Sequence, residues 1–294
     1  MKMAKPLLLT LLLVVWFCAI NVSPVKCSQM IFIRPDGTIE GTNKIYRSGD
    51  TYIFSGDIED SYGIIVEKDN IVIDGQGHTL KSVPRILPVG SWDFGIELSN
   101  VTDGNVTIRN LNVIDFNIGI YIWTTNNTII HNTVKDSNVG IFLAACPNKI
   151  IANHIEDNTQ GVFLGPIPVD NPMVYNCFYL NSFVKNTWNV YDCECNEPQW
   201  KQHLNIWNNG TCGNYWEDYN GTDTDDNGIG DDTYPVTADD IDFFPLISPQ
   251  DAGPLTKNGF LGTDIPNELG LVITLFGTII AVAIIYLLIK RKKS

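Results

Sequence analysis

The sequence predicts an all-β, right-handed parallel β-helix, and three observations carry the prediction. A quartet recurs every 21–24 residues, a second string keeps step with it, and the period is too crowded with Gly and Asn turns to hold a helix. The quartets Gly95-Ile96-Glu97-Leu98, Gly119-Ile120-Tyr121-Ile122, Gly140-Ile141-Phe142-Leu143 and Gly161-Val162-Phe163-Leu164 start 24, 21 and 21 residues apart. A weaker fifth, Asn189-Val190-Tyr191-Asp192, follows 28 residues later, after an inserted stretch at Gly165–Pro172. The second string sets two asparagines five residues apart around a short apolar segment, at Asn105 and Asn110, Asn127 and Asn132, Asn148 and Asn153, and Asn176 and Asn181. Such segments favour short strands, and Gly and Asn favour the turns between them.

One period buries too little apolar surface to fold alone, so coils must stack at about 4.8 Å, each strand pairing with those above and below. Like residues then form columns. Ile96, Ile120, Ile141 and Val162 are expected inside; Asn110, Asn132, Asn153 and Asn181 are expected at a corner, where amides bond between coils. The stretches 51–55, 63–66 and 70–80 read as earlier, less regular coils and their cap. The coiled body is placed at 28–208 and a C-terminal cap at 209–247.

The flanks read differently. Lys2 and Lys5 precede an apolar run from Leu7 to Ile20, which is a secretory signal-peptide pattern over residues 1–27. Residues 248–268, with Pro249, Gly253, Pro254, Gly262 and Pro266, read as a stalk. Leu269–Ile289 carries no charge and is long enough to cross a membrane as a helix. The basic tail 290–294 then stays in the cytoplasm, leaving the body outside, anchored to the cell membrane by a single pass.

Formal net charge is −14, but three lysines lie before residue 28 and four basic residues after Ile289. Setting these aside leaves 12 basic against 33 acidic residues, so the body and stalk carry −21. That balance excludes a nucleic-acid partner and invites divalent cations. Sequons at Asn100, Asn105, Asn126, Asn209 and Asn220 suit surface glycosylation. Cys146, Cys177, Cys193, Cys195 and Cys212 allow two disulfides and one spare thiol, the default outside the cell.

With these motifs assembled, the Gly-Ile-x-Leu and Asn-x-Ile-x-x-Asn repeats resemble those of the NosD-like family, also described as carbohydrate-binding and sugar-hydrolysis domains. The tail Gly213-Asn-Tyr-Trp-Glu-Asp-Tyr219, the acidic run from Gly221 to Asp231 and Phe244-Pro-Leu246 are similar to the ends of archaeal cell-surface members. The resemblance spans about 31–247. It implies the β-helix, and for function either copper-associated periplasmic work or a surface role.

Three constellations carry possible chemistry. Asp223, Asp225, Asn227, the Ile229 carbonyl and Asp231, with Gly228 at the turn, follow the oxygen-ligand order of a calcium loop, although Tyr234 stands where the bidentate Glu belongs. A structural Ca2+ pinning the last coil is expected there. Asp115, Asp136 and Asp157 each precede a repeat Gly by four residues and stack on adjacent coils. As turn residues they need no role; as a buried row sharing a proton they could serve a polysaccharide hydrolase. Alternation along the strand turns Tyr121, Trp123, Phe142, Phe163 and Tyr191 outward together with Glu97, a row suited to sugar rings unless Ser82–Trp92 or Gly165–Pro172 covers it.

The leading expectation is a non-catalytic surface protein binding saccharide or envelope components. The alternative is a polysaccharide lyase, epimerase or hydrolase. A third reading is copper handling, with Cys193, Cys195, His203 and Cys212 as the soft ligands.

Overall fold

A computed structural model of the chain describes residues 30–82, 93–168, 175–193, 200–201 and 205–249. The expected leader, membrane span and basic tail, nearly all of the stalk, and Cys195 and His203 lie outside the described residues. The described chain is built from strands and turns, without a helix.

It is a parallel β-solenoid. The chain visits three sheets in turn, of eight, seven and seven strands, and returns to each one coil later. Register follows the repeat: Ile96, Ile120, Ile141 and Val162 pair in sequence across the first sheet and are fully buried. The second sheet contributes Ile73, Ile108, Ile129, Ile150 and Phe178, and the third Leu80, Val113, Val134, Ile155 and Phe183, all fully buried. Each such aliphatic contributes about 1.5–3 kcal/mol by leaving water.

Glycine opens each quartet because the strand comes close to the coil above. A Cβ at Gly140 would sit 2.6 Å from the Gly161 carbonyl oxygen and 3.1 Å from Asn158 Nδ2, nearer than packed atoms tolerate.

All three corners are held by asparagine. Between the first and second sheets, Asn127 N–H and Nδ2 donate to Asn148 Oδ1 at 2.9 and 3.0 Å, and Asn148 N–H donates to Asn176 Oδ1 at 2.8 Å. Between the second and third, Asn132 donates to Asn153, Asn153 to Asn181 and Asn181 to Asn214, side chain to side chain at 2.9–3.1 Å. At the third corner Ser137 N–H donates to Asn158 Oδ1, and Asn158 Nδ2 donates to Asn186 Oδ1.

One expectation is corrected here. Asn110 is not on the ladder, because Thr107 pairs with Thr128 and so aligns Asn110 with His131. Leu111 N–H is the group that donates to Asn132 Oδ1. Asn110 is a turn residue with φ of 52°, and its Nδ2 donates to Asp74 instead.

The two ends close by different means. At the start, Ile39–Glu40 pairs antiparallel with Ile31–Ile33, and Ile45–Ser48 with Thr51–Phe54. At the far end two columns finish in tryptophan: Trp207 stacks on Phe178 at 4.2 Å and Trp216 on Phe183 at 4.4 Å. The ladders of the first two corners finish in carboxylates. Asp240 accepts from Asn205 N–H and Nδ2 and from Trp207 Nε1. Asp242 accepts from Asn214 N–H, Trp216 Nε1 and Phe244 N–H.

Candidate functional site

The outward face of the first sheet carries a continuous column of rings. Glu97, Tyr121, Phe142, Phe163 and Tyr191 are register partners on successive coils. Ring centroids are 5.0 Å apart for Tyr121 and Phe142, 4.8 Å for Phe142 and Phe163, and 5.3 Å for Phe163 and Tyr191. The coil rise sets this spacing, which lies within the range of attractive ring pairs. Phe94 extends the column 4.7 Å from Tyr121, and Trp123 lies flat beside Tyr121 at 6.0 Å.

The inner rings of the row are half-buried by one another. Its margins are open: Trp123 is 46%, Trp188 50% and Tyr191 40% exposed. Trp188 meets Tyr191 edge-on at 6.1 Å. The repeat does not single out Trp188, because the fifth quartet opens on the Asn after it. Burial, with the nearby Glu97 charge, raises the Tyr121 hydroxyl above its ordinary range, so it stays a neutral hydrogen-bonding group. Of the two stretches expected as covers, residues 83–92 and 169–172 lie outside the described residues, while Gly165 lies beside the Phe142 ring, where an added Cβ would come within 3.0 Å of it.

Asp115, Asp136 and Asp157 share one column at the turn leaving the third sheet. Each is exposed, each has φ between 53° and 65°, and each N–H donates to the carbonyl of the next coil. Asp is among the few residues that tolerate this left-handed backbone. Lys81 Nζ lies 2.9 Å from Asp115, and Lys135 Nζ 3.5 Å from Asp136. The column therefore meets solvent and lysine, with no enclosing cleft to hold a shared proton.

The acidic loop is ordered by its own groups. Asp223 accepts from the Asn227 and Gly228 N–H groups, Asp225 from Asn227 Nδ2, and Asp231 from Thr224 N–H. Asn227 Oδ1 accepts from Ile229 N–H, and Ile229 bridges Leu246, which docks the loop on the cap. The backbone bonds hold Asp223 below the usual carboxylate range, although burial opposes them.

A family profile described as periplasmic copper-binding protein (NosD) matches residues 28–221, well over half of the chain and all of its regular coils. The chain belongs to the NosD family. Among curated proteins no relative matches it. In this NosD-family chain the copper named in the family description must be tested against the residues present. Among the described residues no three His, Cys, Asp or Glu side chains converge on one point. Cys146, Cys177 and Cys212, expected as partners in disulfides, carry free thiols. Burial pushes the Cys146 and Cys177 thiols up, which disfavours the thiolate a soft metal needs. His78 is paired with Asp57 at 3.2 Å and His154 with Glu156 at 3.5 Å. The described part of this NosD-family solenoid does not assemble a copper ligand set.

Proposed function

We propose that this NosD-family chain is an extracytoplasmic, membrane-anchored solenoid that binds saccharide or other envelope components along its first sheet, without catalysis. The observation carrying this is the ring column from Phe94 to Tyr191, bordered by exposed Trp123 and Trp188. The stacked rings make a continuous apolar strip whose repeat follows the coil rise, and the exposed Trp123 and Trp188 at its margins supply flat faces of the kind that pack on sugar rings. The leader pattern, the uncharged run 269–289 and the basic tail support an anchor with the solenoid outside.

Affinity electrophoresis of the full chain through gels containing neutral and acidic polysaccharides tests the reading. Retardation by at least one polymer, weakened about tenfold by Trp123→Ala, is expected, since about 1.4 kcal/mol of lost ring contact corresponds to that factor. Migration indifferent to every polymer sinks it.

Copper binding is a second reading, carried by the family match alone. Competition of the chain with a chromophoric Cu(I) chelator tests it, and absence of competition removes it. The polysaccharide-processing alternative draws less support, because the Asp115, Asp136 and Asp157 column is exposed and partly lysine-paired.

A further inference from the structure

Among the described residues the last coil has paired backbone on two of its three sides. After Tyr179 the second sheet gains Ile206, bridged to Cys177, and after Val184 the third gains Tyr215–Trp216. Among the described residues the first sheet gains no strand after Trp188–Asp192, and the chain passes from Trp216 to the acidic loop instead. Among the described residues that strand has a hydrogen-bonded neighbour on one face of its edge only, the strand Gln160–Leu164. The interior column of the first sheet likewise ends on Val190, part-buried, where the other two columns end on Trp207 and Trp216.

The space left by the absent rung is a cleft of about 540 Å³, within the size range of small-molecule sites. Its walls mix aromatic and hydrogen-bonding side chains: Trp188, Trp216 and Tyr234 with Lys185, Asn189 and Asp218. Asp218 is already oriented, accepting from Asn189 Nδ2 at 3.1 Å and from the Tyr234 hydroxyl at 3.0 Å. Glu217 accepts from Lys185 N–H on the same wall. Trp216 and Tyr234 stack at 4.4 Å and close the back. The half-exposed Trp188 joins this cleft to the aromatic row through Tyr191.

We propose that this cleft is a terminal subsite, taking the end residues of an uncharged or amino-sugar glycan whose following residues lie on the aromatic row. The inference rests on the saccharide reading above and adds the end of the site and the class of sugar. Trp188 supplies the stacking face, while Asp218 and Asn189 supply acceptors and donors for hydroxyls. Glu217 and Asp218 outnumber Lys185 on the wall, and the Lys185 ammonium lies 3.4 Å from Glu156, so on a body of net −21 the cleft disfavours uronate and sulfated sugars and suits neutral or cationic ones.

The test titrates the full chain with chitotriose, cellotriose and trigalacturonate, following tryptophan fluorescence. These trisaccharides are short enough to occupy the cleft without needing the row. A neutral or amino-sugar trimer should bind, trigalacturonate should not, and Trp188→Ala should weaken binding about tenfold or more. Asp218→Asn, which keeps the shape, should weaken it several-fold, while the exposed Asn138→Ala, outside both row and cleft, leaves it unchanged. Polymers that bind through Trp123 while no trimer binds would overturn the terminal subsite and leave the row standing. Trimers that bind through Trp188 while polymers ignore Trp123 would keep the cleft and remove the row. A basic nonapeptide that protects the amides of Trp188–Asp192 from hydrogen exchange, where sugars do not, would make the cleft a strand-addition site and overturn the proposal.

Discussion

Asn153 is the best place to ask whether the corner ladders hold the coils together. It is buried, and its Oδ1 accepts from Asn132 N–H at 3.0 Å and Asn132 Nδ2 at 3.1 Å. Its Nδ2 donates to the Ile129 carbonyl at 2.8 Å and to Asn181 Oδ1 at 3.0 Å. Asn153→Ala removes all four bonds. Asn181 Oδ1 keeps the Asn153 N–H, and Asn132 Nδ2 keeps the Ile108 carbonyl, so those groups are only partly stripped. What remains without a partner is the Asn132 N–H, one proton of its amide, and one lone pair of Ile129. At about 1–3 kcal/mol for each buried orphan, the loss should reach about 3–6 kcal/mol, a large part of an ordinary domain's stability. Asn138 provides the control: it is exposed and its amide makes one 3.3 Å bond to Asn117, so Asn138→Ala should cost no more than about 0.5 kcal/mol. Asn153→Asp sharpens the argument, because a carboxylate oxygen would face two acceptors in place of the Nδ2 donor. Folding would then raise its pKa, so this variant should regain stability as the pH falls and the carboxyl takes a proton. Urea unfolding followed by circular dichroism, with hydrogen exchange at the neighbouring coils, reads all three. An Asn153→Ala variant within about 0.5 kcal/mol of the Asn138→Ala control would refute the ladder as a source of stability.

Four further outcomes follow from the same geometry. Asp74 is buried beside Arg109 at 2.8 Å, and although burial opposes it, bonds from Asn110 and Gln76 N–H and the Arg109 charge hold its carboxyl below the usual range. Its stabilisation is therefore present above the ordinary carboxylate pKa and lost as the pH falls through the lower folded value. Asp74→Asn should cost about 1–3 kcal/mol at neutral pH and flatten the acid limb of a melting-temperature profile; an unchanged limb contradicts it. Gly140→Ala should cost about 1–3 kcal/mol in urea, since the new methyl meets the Gly161 carbonyl oxygen at 2.6 Å, and a neutral result would mean the coils yield there. Asp242→Asn should lower the melting temperature, because an amide cannot accept from Asn214, Trp216 and Phe244 at once. Burial raises the Asp242 pKa in the fold, so the wild-type advantage over this variant should grow on acidification through that raised value. Millimolar Ca2+ added after chelation should raise the melting temperature of the wild type and not of Asp223→Asn/Asp225→Asn; equal shifts, or none, remove the loop as a calcium site.

Much of this fold was legible because a solenoid repeats its contacts at fixed spacing. The quartets are enough to place Ile120, Ile141 and Val162 in one interior column and Tyr121, Phe142 and Phe163 in one exterior column, since alternation and register both follow from period. The asparagine string was read one residue off in its first member. Asn105 and Asn110 have the right spacing, but they occupy left-handed turn positions, while Val106 and Leu111 fill the ladder sites. Spacing alone cannot separate an asparagine chosen for its amide from one chosen for its backbone. The third ladder was missed for a related reason: its first members are Ser137 and Asn158, so no repeated residue type announces it. Asp240 and Asp242 were missed because they reach the ladders from 35 and 28 residues downstream of Asn205 and Asn214, past the acidic loop, where the period has lapsed. The cleft was illegible for the opposite cause, since it lies where, among the described residues, the first sheet has no further rung.

The direction of the ladders explains why the two ends of the solenoid differ. Along the corner between the second and third sheets each ladder asparagine sends its backbone N–H and one Nδ2 proton toward the later coil, its other Nδ2 proton back to an earlier carbonyl, and its Oδ1 accepts from the earlier rung. The first rung therefore needs only backbone donors, which Val106 and Leu111 supply, and no special side chain is required at that end. The final rung is left with donors pointing outward, and a buried donor needs an acceptor. A carboxylate meets that need best, having lone pairs for several donors and a charge that strengthens each bond along a polarised chain. Asp240 and Asp242 stand at those two sites, each also taking an indole N–H from the tryptophan that stops the neighbouring core column. Ladder end, column end and last strand are thus closed together on two sheets. Among the described residues the first sheet has none of the three closures: its corner ladder runs to Asn186, its column to Val190 and its last strand is Trp188–Asp192. Among the described residues this opening therefore falls on the sheet that also carries the exterior rings, and Trp188, which lines the cleft and meets Tyr191 edge-on, links the two.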